Sequence, residues 1–262
     1  MRLGIIGDWS EDGFRYVQSK GLDCVEFCYN HDQPTDKLLA LVPSLNEWQE
    51  KYGVKILSMG RWGSKRINDD GTVNEPVLRE DFDVIDAASA VGCPVFNCGC
   101  NYTESKNYKE NCDIAAAYFA KLIEYAKGKN VRIATYNCDW GNFVYNDKVW
   151  SAIHSNMPEL GIKYDVSHCI NRHGDYLKEI RDWGDRFYHF HLKGTLYVDG
   201  EHYDDPPAGL DPTDWRSVMA LLYIKNYNEM VSIEPHSHNW QGEKGEWGVD
   251  FTINFIRPFI KE

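Results

Sequence analysis

The chain alternates short apolar runs with longer runs at helical spacing, and it does so eight times. LGIIGDW (3–9) precedes a short helical run that stops at Gly21. CVEFCY (24–29) precedes residues 35–52, which carry Leu38, Leu39, Leu41, Val42, Leu45 and Trp48. KILSMG (55–60), VFNCGC (95–100), VRIATYN (131–137), GIKYDV (161–166), FYHFHLK (187–193) and MVSIEPH (230–236) continue the pattern. Helices are expected near 75–91, 110–127, 147–156, 175–182, 214–225 and 248–260. Strands alternating with helices give a parallel sheet with right-handed crossovers. Eight such units in 262 residues favour a closed (β/α)8 barrel, which takes ~250 residues, over an open sheet. GIIGDWSEDG after the first strand is not a GxGxxG loop, which weakens a nucleotide-binding sheet. No linker or shift in composition divides the chain, so one domain over residues 1–262 is expected. Residues 195–213 are expected to form a long loop, stiffened by Pro206 and Pro207.

A formal net charge of −12 with no basic stripe argues against binding nucleic acid or an anionic membrane surface. Apolar residues at 43 % and aromatics at 14 % suit a large core rather than disorder. No run has the length and apolarity of a membrane span, and charge at Asp8 comes too early for a signal-peptide core. A cytoplasmic location is the expectation. The eight cysteines form no pair of CxxC motifs and read as small buried thiols, Cys98 and Cys100 among them.

FYHFHLKG, residues 187–194, places His189, His191 and Lys193 on one face of a strand and Phe190 and Leu192 on the other. Polar groups on a buried face must be satisfied there or serve a purpose. Barrels of this kind build their sites at the C-terminal ends of the strands. The sixth strand ends in KYDVSH, giving Asp165 and His168. The seventh gives His191 and Lys193, and the eighth, VSIEPH, gives Glu234 and His236. Glu26 lies on the second. Asp165, His191 and Glu234 form an oxygen and nitrogen donor set suited to a divalent ion such as Mn²⁺, Mg²⁺, Co²⁺ or Zn²⁺. The absence of cysteine from the set disfavours structural zinc. Singly, a buried aspartate is more often a cap or ion-pair partner, and a buried histidine a satisfied core residue; three on consecutive strand ends are harder to explain that way.

DVSH, HFHLKG and SIEPH, with GLDCVEF on the second strand, resemble the xylose isomerase-like TIM barrels, the sugar phosphate isomerase/epimerase superfamily. The resemblance spans almost the whole chain in order and spacing. It implies metal ligands from a strand-5 Glu, a strand-6 Asp, a strand-7 His and a strand-8 Glu, the last three matching Asp165, His191 and Glu234. It implies catalytic or substrate roles for Glu234, for His168, and for Lys193 against a substrate oxygen. It also implies a small sugar or keto-sugar substrate, and homo-oligomers are common in the group. With no phosphate cradle in the sequence, a neutral sugar or keto-sugar is preferred to a sugar phosphate.

The strand-5 match fails. RIATYN puts Tyr136 at the glutamate's register, with Asn137 next. In the isomerase scheme two glutamates flank the substrate, so this chain lacks one base. Four readings follow. Asn137 or Tyr136 completes a weaker metal site; Asp139 or Glu26 reaches in; one-base lyase or dehydratase chemistry runs with His168 or Tyr136 as acid; or the barrel binds sugar without turnover. Isomerase or epimerase chemistry ranks first and the lyase second. A DNA-repair endonuclease, which shares the DxxH motif, is disfavoured by the charge. Glu26, Trp9, Trp62, Tyr136 and His236 are the expected substrate contacts, although Trp9 and Trp62 are as readily explained by packing. His189 is expected to pair with a core carboxylate, and His238 to lie in a solvated loop.

Overall fold

The computed structural model describes residues 1–235 and 237–261. Eight parallel strands close into one barrel: β1 (Arg2–Ile6), β2 (Cys24–Cys28), β3 (Lys55–Arg61), β4 (Val95–Cys98), β5 (Arg132–Tyr136), β6 (Gly161–Asp165), β7 (Phe187–Leu192) and β10 (Met230–Ile233). β10 is the eighth barrel strand and pairs with β1, Gly4 opposite Ser232. Around the barrel lie α1 (Glu11–Ser19), α2 (Thr35–Tyr52), α3 (Glu75–Ala90), α4 (Tyr108–Ala126), α5 (Asp147–Ile153), α7 (Tyr176–Trp183), α8 (Trp215–Ile224) and α9 (Gly242–Ile256). The (β/α)8 expectation holds. Among the described residues, no helix is long and apolar enough to cross a membrane.

Two local expectations are corrected and one element is added. Residues 195–213 are not all loop: β8 (Leu196–Val198) and β9 (Glu201–Asp204) form an antiparallel hairpin. Its turn is Asp199–Gly200, both at positive φ (52° and 84°), the backbone that Asp-Gly hairpin turns adopt. The last helix begins at Gly242 rather than near 248. A short helix, α6 (Val166–Asn171), follows β6 directly.

Each strand is two-faced. Phe27, Tyr164, Phe190, Leu192, Val231 and Ile233 are buried core residues. The alternate residues Glu26, Lys163, His189 and Ser232 are also buried, so the inner face is unusually polar. Elsewhere β3 is fixed to the helical layer by ions. The Arg66 guanidinium grips both Asp81 oxygens, at 2.8 and 3.0 Å, and the Tyr118 hydroxyl donates to the same carboxylate at 2.7 Å. Arg61 pairs with Glu80 at 2.7 Å. The eight cysteines are all free, and Cys98 and Cys100 are buried.

Candidate active site

β6 delivers Asp165 because its faces alternate. Tyr164 points outward, its hydroxyl donating to Glu179 Oε2 at 2.9 Å, and Asp165 follows on the inner face. Asp165 also caps α6: its Oδ1 accepts from the Ser167 amide at 2.8 Å and hydroxyl at 2.7 Å. That fixes the carboxylate and leaves Oδ2 buried with no hydrogen-bond donor. Asn137 clasps the same strand end, its amide oxygen accepting from Asp165 N and its NH₂ donating to Asp165 O, both at 2.8 Å. The ligand role expected for Asn137 is thereby corrected, since both ends of its amide serve the main chain.

β7 is the centre of the cluster. His191 Nδ1 lies 2.6 Å from Glu234 Oε2 and 3.7 Å from Asp165 Oδ2. Its Nε2 lies 2.7 Å from Glu26 Oε2, and His189 Nε2 meets that same oxygen at 2.7 Å. His189 thus pairs with a core carboxylate, as the strand pattern suggested. Glu26 is fully buried beneath the cavity between the two imidazoles, which corrects its expected place against substrate. Lys193 Nζ lies 3.3 Å from Asp165 Oδ2 and 3.5 Å from Glu234 Oε2.

The partners decide the charges. Burial opposes a charge on His191, but the Glu26 and Glu234 carboxylates prevail and hold its pKa up at about 10. Burial would raise Asp165, yet Lys193 and the nearby histidines hold it well below the usual carboxylate range. Glu234 is held down in the same way, against its own burial, by Lys193 and His191. Burial pushes His168 down to about 4 even with Asp165 Oδ2 only 3.6 Å away, because Lys193 and Lys163 repel its proton. His168 is therefore a neutral imidazole at neutral pH.

These groups open onto a cavity of ≈ 490 Å³. Lys163, His168, His191, Lys193 and Glu234 line one part of it; Trp62 and the half-exposed Trp140 line another. The Trp62 ring stacks on Tyr136, centroids 5.2 Å apart at 20°. This needs glycine at position 60, where a Cβ would stand 2.1 Å from the indole. Tyr136 supports Trp62 from below; its buried hydroxyl donates to Trp140 O at 3.4 Å, so the expected substrate contact is corrected to a supporting one. Trp9 is also corrected: it does not line the cavity, but stacks on Phe27 at 4.3 Å and donates to Cys28 O at 2.9 Å. Asp139 is exposed and lines a smaller adjoining pocket of ≈ 110 Å³ with His168. The expected contact His236 lies outside the described residues.

Sequence reasoning missed Lys163, Cys28 and Cys138, which line the cavity. Lys163 could have been found from register, being two residues before Asp165 and paired with His189. It is 2 % exposed. Among the described residues its ammonium makes no hydrogen bond or ion pair, and it sits 5.6 Å above the Trp62 ring. A cation–π contact is worth about 0.5–2 kcal/mol, whereas burying an ion costs several kcal/mol.

Asp165, His191 and Glu234 each offer a ligand atom, all within 4.8 Å of one another. The undonated Asp165 Oδ2 and the exposed edge of Glu234 suit a divalent ion. Glu26 behind His191 Nε2 matches the carboxylate that orients a ligating imidazole, leaving Nδ1 for the ion. The donor set fits.

A family model described as xylose isomerase-like TIM barrel matches residues 14–257. The chain belongs to the xylose isomerase-like TIM barrel family. Solved structures agree with its fold at low identity. The IolI protein with a bound zinc atom is 14 % identical over 100 % of both chains, with a TM-score of 0.79. A D-tagatose 3-epimerase-like protein is 18 % identical over 99 % of this chain and 98 % of its own, at 0.77. D-psicose 3-epimerase from Clostridium cellulolyticum H10, solved with D-tagatose, is 14 % identical over 100 % of both chains, at 0.76. No curated protein sequence matches the chain significantly. Within this xylose isomerase-like barrel, β5 brings no carboxylate to the cavity, and Glu234 is the one carboxylate among the described residues that lines it.

Proposed function

We propose that this barrel is a divalent-metal-dependent isomerase or epimerase, moving a proton beside the carbonyl of a small keto-sugar. The convergence of Asp165, His191 and Glu234 beside an open cavity, whose wall His191 and Glu234 form, carries the reading. The zinc-bound and tagatose-bound neighbours support it. A divalent ion held by those three residues would supply a Lewis acid that polarises the carbonyl. Glu26 holds the His191 ring in place. Glu234, ionised and 17 % exposed at the cavity wall, is the group that takes the proton from the neighbouring carbon. Lys193, poised between Asp165 and Glu234, donates to a substrate oxygen. His168, neutral, exchanges a proton with a substrate hydroxyl. Trp62 offers its face to the apolar side of a sugar.

One observation favours a second reading. With Tyr136 at the strand-5 register and Glu234 the single cavity carboxylate described, the site has one carboxylate base. A one-base lyase or dehydratase needs no more: Glu234 would take the proton from carbon and return it to the leaving oxygen, and the low pKa of His168 argues against the acid role expected for it.

The test is metal content of wild-type protein, Asp165→Ala and Glu234→Ala, followed by incubation with D-tagatose in D₂O. The expected result is about one equivalent of divalent ion in wild type, lost in both variants, and deuterium at the carbon beside the carbonyl. A dehydrated product would select the lyase. Wild-type protein that takes up no ion after incubation with Mn²⁺ or Zn²⁺ would overturn the metal-dependent reading.

A further inference from the structure

Lys163 is the cavity cation that, among the described residues, touches no carboxylate, although the fields of Asp165 and Glu234 reach it. Its side chain is 2 % exposed, and among the described residues its ammonium has neither an ion pair nor a hydrogen bond. The carboxylates are already committed. Glu26 is shared by His189 and His191, while Asp165 and Glu234 are shared by His191 and Lys193. An ion bound at Asp165 and Glu234 would commit them further. A largely buried ammonium with no contacting counter-ion is costly, and an anion entering the cavity would offset that cost.

The position of the charge says which part of a ligand would meet it. Lys163 starts one pleat deeper than Asp165 on β6. Its head lies over the indole of Trp62, which follows β3, whereas the three ligands end β6, β7 and β10. A keto-sugar with its carbonyl toward the ligand set would lie along Trp62 with its other end near Lys163. One ammonium matches the single charge of a carboxylate. Among the described residues, no arginine or second unpaired lysine lines the cavity to meet a phosphate dianion.

We infer that the substrate is a keto-sugar acid, held by Lys163 through a carboxylate at the end remote from the reacting carbonyl. This rests on the proposed keto-sugar chemistry and names its substrate class. Lys163 then sets specificity: a neutral sugar leaves the ammonium unpaired, and a sugar acid completes it.

The test compares matched probes by calorimetry on metal-incubated protein. 5-Keto-D-gluconate differs from L-sorbose in a terminal carboxylate, and D-fructuronate differs from D-fructose in the same way. In wild type, at least one acid should bind about ten-fold or more tightly than its neutral partner, the gain of one charge-assisted hydrogen bond. Lys163→Met should erase that preference while keeping affinity for the neutral sugar and an unchanged metal content. Lys163→Arg should keep part of it. If neither acid outbinds its neutral partner in wild type, the inference is overturned, whatever the variants do. A preference that survives in folded Lys163→Met overturns it too. Metal content on the same samples separates the two ideas. Protein without metal that still prefers the acid through Lys163 refutes the metal-dependent reading alone. Protein with metal and no acid preference refutes the carboxylate assignment alone.

Discussion

Two clusters of buried ions lie in this barrel, and they are built to different rules. Beside β3, Arg66 holds both oxygens of Asp81, Tyr118 adds a third donor, and Arg61 reaches Glu80 and the Asn30 carbonyl. Its one atom without a hydrogen bond, Arg61 Nε, still lies 3.8 Å from Asp81. At the cavity, among the described residues, Glu26 Oε1, Asp165 Oδ2 and His189 Nδ1 have no hydrogen-bond partner, though Lys193 lies 3.3 Å from Asp165 Oδ2, and Lys163 makes no ion pair. Both clusters bear the cost of taking charge out of water. The first is closed by its own residues and holds helices to strands. The second is left open, which is what a site awaiting a ligand requires.

The comparison breaks most readily at Asp81. Asp81→Asn leaves the Arg66 charge without its counter-ion in a place water does not reach. We expect a loss of about 3–5 kcal/mol, measured by denaturant unfolding. Any metal uptake by the folded fraction should persist, because Asp81 is no part of the candidate ligand set. A loss under about 1 kcal/mol would show that the closed cluster is not what holds this wall.

The sequence displayed the fold because hydrophobic periodicity alternates between two values along its whole length. It displayed Asp165, His191, Lys193 and Glu234 because each ends a strand, where topology alone brings distant residues together. It could not display what depends on side-chain partners. Asn137 and Tyr136 stand at the right register, but an amide can clasp a main chain and a phenol can prop an indole as readily as either can face a ligand. Glu26 reads as a cavity residue until two imidazoles are seen to enclose it. Lys163 shares the inner face of Asp165 by register, but only the structure shows it buried over Trp62 with, among the described residues, no hydrogen bond or ion pair.

Two buried histidines sharpen the contrast at the next level. His154 meets a hydroxyl and a carbonyl, Thr135 Oγ1 at 3.0 Å and Gly161 O at 3.2 Å. With no carboxylate beside it, burial wins and its pKa falls to about 3, whereas His191 among carboxylates is held near 10. The unfolded His154 takes up its proton near the ordinary value of 6.5 and the folded one only near 3. The unfolded state therefore holds more protons throughout that window, and stability falls as pH drops through it. About 3 kcal/mol should be lost through this residue by about pH 4. Unfolding curves of wild type and His154→Gln between about pH 7 and pH 4 should differ in slope by up to one proton. Parallel curves would mean that His154 is protonated in the fold without cost.

The smallest expected effect is the most direct reading of the open cluster. In a closed cluster, removing an ion orphans its partner, so stability falls. Among the described residues Lys163 has no ion-pair partner to orphan. Lys163→Met keeps most of the side-chain length beside Trp62 and removes the desolvated charge, at the loss of one cation–π contact. Ligand-free protein should therefore gain about 1 kcal/mol, seen as a higher denaturant midpoint at unchanged slope. It gives up fitness for a ligand in exchange, the trade expected where function holds a residue in an unfavourable place. A destabilised variant would mean that the Lys163 charge already serves the fold through the field of Glu234 and Asp165, and the two clusters would then differ only in how tightly they are bonded.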